Sequence, residues 1–392
     1  MSNQRKLILH LGCHKTGTSA IQGALYKSRA LLSDQGFTLF CKNPDGTERV
    51  SGDALTWVRF RFCPHRRVHG LVRPGFAEAL AASEGNVIAS AETLSWIFDP
   101  KEIHQLAENL YQHFDSVRLV SYVRRQDEQA VSHYQQAAKH SGFIASRYFG
   151  TGTRALPEYG EHLQHYLNYS CRLGYWADAF GQSNVSIRVF DPRKLVGADA
   201  VADFFELTGL PWNGKSERKN ESRGLVFTKT ARLLSQGRLD YTSWKDLMQH
   251  IPDSQPMLPS RKSAREFYEH FREGNLLLNE KFKISKDTTL FTEDFSKYPE
   301  SDMDCWDEDS ANAALEGLIK GFLSANPVSS PDIEVIRRAA NAIQPLDPSL
   351  SYDLINVANS LGGIRPDLKI EAGFRSRVRS FLRKRPLFPW GR

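Results

Sequence analysis

Residues 7–22, LILHLGCHKTGTSAIQ, limit the possible folds more than any other stretch of the 392-residue chain. Leu7, Ile8, Leu9 and Leu11 read as a parallel strand buried on both faces. A short loop bearing Gly12 and Gly17 follows, and Ile21, Ala24, Leu25, Ser28 and Leu32 then fall on one face of a helix. A strand, a glycine-bearing loop and a helix start together present backbone N–H groups and a positive dipole end to a phosphate. Gly12, Gly17 and Ser19 match the spacing G-x-x-x-x-G-K-[ST] of nucleotide loops. Thr18 stands where that motif has its lysine, and the only lysine, Lys15, sits inside the loop. The phosphate cradle is kept, and its cation meets a different part of the ligand.

Further on, apolar runs alternate with helical periodicity. Strands are expected at 37–40, 86–90, 117–123 and 185–190, and helices at 75–83, 101–114, 126–140, 158–181 and 197–209. Segments 42–75 and 140–157 read as irregular. Arg59, Arg61, Arg66, Arg67 and Arg73 in the first fit either a solvated surface or a pocket for an acidic ligand. This alternation implies an α/β fold: three layers around a central, mostly parallel sheet, like that of P-loop proteins. Beyond Pro211 the pattern weakens into a largely helical C-terminal extension, with helices near 310–324, 332–342 and 351–361. The expected division is 1–225 as nucleotide-binding core, 226–328 as the rest of a catalytic domain with helical insertions, and 329–392 as the helical extension with a basic tail.

Two anion sites stand out. In the first, Lys15, Thr16, Gly17, Thr18 and Ser19 combine a full charge, hydroxyls and backbone amides at a helix start. In the second, Arg124 ends a strand, at the carboxyl edge where open α/β sheets bind ligands, and Ser132 lies about two turns into the next helix. Guanidinium and hydroxyl together suit a second phosphate.

With these motifs the sequence resembles the sulfotransferases that use 3′-phosphoadenosine 5′-phosphosulfate (PAPS). HKTGTSA is similar to their 5′-phosphosulfate loop, with Ser19 for the usual second threonine and His14 for a common proline. YVRRQDEQAVSHY is similar to their 3′-phosphate site through Arg124 and Ser132, and departs from it at Arg125-Gln126, often asparagine-proline there. The likeness covers residues 5–225 and extends to VSIRVFDPRKLVGADAVADFFELTGLP.

It implies a fold, a co-substrate and roles. Lys15 and residues 16–19 would hold the phosphosulfate, Arg124 and Ser132 the 3′-phosphate, with Asn220, Ser222 and Arg223 in a polar loop near the nucleotide. Glu92, at the end of the 86–90 strand, would take the acceptor's proton, as a glutamate does in carbohydrate members. His133 and His140 are rival bases. The acceptor expected is a sugar hydroxyl on a glycan or glycolipid, and the product adenosine 3′,5′-bisphosphate (PAP). No metal is expected, because no strand end offers a magnesium aspartate and no cysteine or acid set completes a site around His162 and His165.

Two rival readings remain, a P-loop kinase acting on a small molecule or sugar, and a non-catalytic membrane-associated nucleotide-binding protein. The second draws on the tail. Residues 373–392 carry seven of the positive charges behind a net +6 and no acid, so the rest of the chain stands at −1 and a nucleic-acid partner is not expected. Phe374, Val378 and Leu382 among those arginines fit a basic amphipathic helix on anionic lipid or a solubilising tail. The five scattered cysteines form no C-x-x-C pair, and no apolar run is long enough to span a bilayer. The expected location is cytoplasmic, with contact at the inner membrane face if the tail binds lipid.

Overall fold

The computed structural model describes residues 4–64, 68–137, 144–150, 152–214, 223–236, 244–252 and 254–325, with single positions between 341 and 358. Arg66, Arg67, His140, Asn220, Ser222, the basic tail and most of the two last expected helices lie outside the described residues.

Five strands form one parallel sheet: β1 (Lys6–His10), β2 (Phe37–Phe40), β5 (Asn86–Ser90), β6 (Ser116–Val123) and β7 (Val185–Val189). Their order is β2-β5-β1-β6-β7, so β1 is central, paired from Leu7↔Val87 on one side and from Lys6↔Ser116 on the other. Successive residues of β1 feed opposite cores. Leu7 and Leu9 join the core that holds Val87, Ala89 and Leu119, whereas Ile8 joins the one with Ile88, Val120 and Tyr122. Burial on both faces is why the strand is continuously apolar.

Helices cover both sides. The smaller core is closed by α1 (Thr18–Lys27) through Ile21 and Leu25 and by α9 (Ala200–Thr208) through Phe204 and Phe205. The larger takes Phe76 and Leu80 of α3 (Phe76–Ala81) and Ile103 and Leu106 of α4 (Pro100–Tyr111). It also takes Ala130 and Tyr134 of α5 (Gln126–Ala137), and Leu173 and Trp176 of α8 (Tyr169–Phe180). The helix Arg261–Phe282 adds Phe267 and Phe271 to that same core. The expected α/β three-layer architecture is therefore the observed one.

Four local expectations are corrected. The first helix breaks at Ser28 (φ −90°, ψ 5°), leaving α1 and a short α2 (Arg29–Asp34). The segment expected to be irregular contains an antiparallel hairpin, β3 (Val58–Phe62) and β4 (Val68–Val72); VRFRF alternates as a half-exposed strand does. A short α6 (Ile144–Phe149) interrupts the second expected loop, seated by Tyr148 and Phe149 in the core. The expected long helix is two, α7 (Leu163–Leu167) and α8, because the Asn168 side chain accepts from the Cys171 N–H and caps α8. Its apolar stripe survives the break because both pieces pack on one core.

By compactness the chain falls into two units, one of Met1–Trp244 with Pro252–Asn312 and one of Lys245–Ile251 with Ala313–Arg392. The sheet and the residues of both expected anion sites that the structure describes belong to the first. No helix among the described residues is long and apolar enough to cross a membrane.

Candidate active site

From β1 the chain goes to β2 and β5 on one side and later to β6 and β7 on the other, which opens a crevice at the carboxyl ends of β1 and β6. Three segments meet around it. The loop after β1 carries Lys15, β5 runs into a 3₁₀ turn (Glu92–Trp96) that begins with Glu92, and β6 runs into Arg124. The loop is joined to β6 by the Leu11 N–H on the Val120 carbonyl (2.8 Å).

The loop is shaped from within. Thr16 and Thr18 are buried, and both hydroxyls donate to the Cys13 carbonyl, at 2.6 and 3.1 Å. They brace the turn, so the anion contacts left to it are backbone amides, the exposed Ser19 and Lys15. Lys15 (φ 63°) and Gly17 (φ 82°) are left-handed, a geometry that turns neighbouring N–H groups toward one concavity. Gly17 caps α1 without a side-chain hydrogen bond; its carbonyl accepts from the Ala20 and Ile21 N–H groups (3.0 and 3.1 Å), so in the first turn the Thr18 and Ser19 amides are the ones with no intrahelical acceptor. At Gly12 a Cβ would stand 2.6 Å from Thr18 Cγ2 and 3.1 Å from Glu92 Cβ. Overpacking of that kind costs about 1–3 kcal/mol. Gly12→Ala is expected to displace Thr18 and to lower the unfolding midpoint by several degrees in thermal denaturation, with the far-UV spectrum at 25 °C unchanged.

Arg124 faces this loop. Its Nη1 lies 3.4 Å from the Lys15 carbonyl oxygen, its Nε donates to Glu128 Oε2 (3.0 Å), and Phe190 stacks on the guanidinium. A cavity of about 330 Å³ opens beside it, lined by Arg124, Ser132, Arg223, Lys297 and Glu128 among others. Lys297 and Glu128 had no sequence signal as site residues. Burial alone would push the Glu128 carboxyl up, but Arg124, Lys297 and Arg125 hold it below the usual carboxylate range. Burial pushes the Lys297 amine down, with Glu128 working against it.

The departure at Arg125-Gln126 has a structural reason. Arg125 is buried, paired with Asp127 (2.8 Å), and donates to the carbonyls of Thr292 (2.8 Å) and Asp294. Gln126 exchanges amide hydrogen bonds with Asn275, at 2.7 and 3.0 Å. These bonds dock the segment that delivers Lys297.

Glu92 lies across the loop, its Oε1 3.5 Å from Nδ1 of buried His14. His133 stacks on His14 (ring centres 4.5 Å apart), and burial, then His14 and Lys15, hold its imidazole well below the ordinary range. Buried Arg172 braces the loop from below, donating to the Ser95 carbonyl (3.3 Å) and reaching Cys13 Sγ (3.7 Å). His162 Nε2 meets the Tyr148 carbonyl oxygen (2.9 Å), and no metal-holding group of His, Cys, Asp and Glu forms among the described residues.

No family model matches the sequence, and no curated protein matches it. Among solved structures, the chain is similar to the crystal structure of a sulfotransferase from Alicyclobacillus acidocaldarius, at 16% identity, over 62% of this chain and 99% of that one. The TM-score is 0.30, too low to decide fold or function.

Proposed function

We propose that the chain is a sulfotransferase that moves the sulfuryl group of PAPS to a hydroxyl, most simply that of a saccharide. The observation that carries this reading is the 3.4 Å approach of Arg124 Nη1 to the Lys15 carbonyl, which brings together, at adjacent strand ends, the two segments this reading assigns to the anions. A nucleoside with phosphates on both the 3′ and the 5′ oxygen of its ribose fits that pairing.

In this reading the loop amides, Ser19 and Lys15 take the 5′-phosphosulfate. Arg124, Ser132, Arg223 and Lys297 surround the 3′-phosphate; Asn220 and Ser222 belong to the same proposal by their place beside Arg223. The acceptor oxygen attacks sulfur in line, the sulfur–oxygen bond to the 5′-phosphate breaks, and PAP departs. Glu92 takes the hydroxyl proton, and Lys15 offsets the charge gathering on the departing phosphate oxygen. The exposed Arg59 and Arg61 of the hairpin suit an acceptor bearing acidic groups.

The test is transfer of radiolabelled sulfuryl from PAPS to a panel of neutral and uronic-acid oligosaccharides, with and without magnesium. Labelled saccharide formed at equal rates in both supports the reading. Phosphorylated saccharide formed from ATP and magnesium, with no sulfated product, would favour a kinase and overturn it.

A further inference from the structure

We propose that His14 is a positioning residue for Glu92, a neutral imidazole that donates from Nδ1 to one carboxylate oxygen and leaves the other for the acceptor hydroxyl. The proposal deepens the sulfuryl-transfer reading and rests on it for the reaction, though the ring's tautomer stands on geometry alone.

One 3₁₀ turn grips the ring at both ends. Trp96 Nε1 donates to His14 Nε2 at 2.9 Å, and Glu92, at the start of the same turn, puts Oε1 3.5 Å from Nδ1. An indole N–H can only donate, so Nε2 must be the acceptor, and an uncharged ring then carries its proton on Nδ1. The residue's other polar atoms are committed as well. Its backbone N–H donates to the Tyr166 hydroxyl (3.0 Å), and its carbonyl accepts from Gln129 Nε2 (2.5 Å). With His133 stacked on one face, the imidazole has no freedom to turn away. The contact to Glu92 is long for a hydrogen bond, as such contacts often are before substrate closes a site.

The ring's surroundings keep it uncharged. Glu92 and Trp96 face it from the turn, Lys15 from its own loop, His133 from α5, Tyr166 from α7 and Arg172 from α8. Burial holds the His14 imidazole below its ordinary range; Glu92 opposes this, while Arg172 and Lys15 add to it. His14 therefore does not relay the proton onward. Its only lone pair is used by Trp96, and a second positive charge beside Arg172 and Lys15 is disfavoured. The proton taken from the acceptor stays on Glu92 until product leaves.

The experiment compares wild type, His14→Phe and His14→Asn, whose side-chain N–H can replace Nδ1–H. ¹⁵N-histidine spectra are expected to show His14 as the neutral Nδ1–H tautomer at pH 7.5. PAP affinity by calorimetry should stay within about threefold in both variants. With PAPS and the saccharide that turns over fastest in the panel, kcat of His14→Phe should fall by at least about tenfold, and His14→Asn should regain most of it. An Nε2–H tautomer, a kcat for His14→Phe within about threefold of wild type, or no recovery in His14→Asn overturns the positioning role and leaves the transfer reading intact. A wild type with the assigned tautomer and no turnover overturns the transfer reading instead.

Discussion

Glu92→Gln is expected to lower kcat for sulfuryl transfer by about 10²–10⁴-fold while PAP affinity changes little. The substitution keeps the volume and removes the basic oxygen. Glu92 lies on the β5 side of the loop, away from the cavity that holds Arg124 and Ser132, so the nucleotide should not register the change. The amide that replaces the carboxylate would still offer an oxygen to His14 Nδ1, which keeps the loop in place. Stopped assays for labelled saccharide, run beside calorimetry, separate the two effects. A variant with kcat within about threefold of wild type would remove Glu92 from the chemistry and return the role to another group.

Lys15→Ala should show nearly as large an effect, by a different route. The charge on the bridging oxygen develops as the sulfur–oxygen bond breaks, so a lysine aimed at it contributes more to the transition state than to binding. Loss of one such donor costs about 10²–10³-fold in kcat. The Lys15 charge is felt by both His14, which faces Glu92, and His133, which stacks on His14. The left-handed backbone at position 15 (φ 63°) is retained by alanine with the same strain, so the cradle should keep its shape. The expected signature is a large fall in kcat with a PAP dissociation constant raised less than about tenfold. Equal falls in both would make Lys15 a binding residue only.

What could be read in the sequence follows from what one dimension contains. β2 and β5 keep the bounds their apolar runs suggest, because Gly36 and Gly85 punctuate them. Arg124 follows β6 directly, Glu92 comes two residues after β5 and Lys15 five after β1, so a correct strand assignment already puts all three at the carboxyl edge. The hairpin is not legible although VRFRF alternates, since its arginines equally suggest a solvated loop. The helix break at Asn168 is a local capping preference that overrides a continuous apolar stripe. Lys297 could not be found at all. It reaches the cavity from a segment without periodicity, held there by Arg125 across 167 residues to the Thr292 carbonyl. The Trp96–His14 bond likewise joins positions 82 apart, and no motif announces it.

The shared grip of the two cradles on one nucleotide is tested most directly by calorimetry of the wild-type protein with PAP and with adenosine 5′-monophosphate, which lacks only the 3′-phosphate. Charge-assisted contacts from Arg124, Arg223 and Lys297 to that phosphate should make PAP bind at least about a hundredfold tighter, and Arg124→Ala should remove most of the difference. Equal affinity for the two nucleotides, or a preference for PAP that survives Arg124→Ala undiminished, would contradict the account.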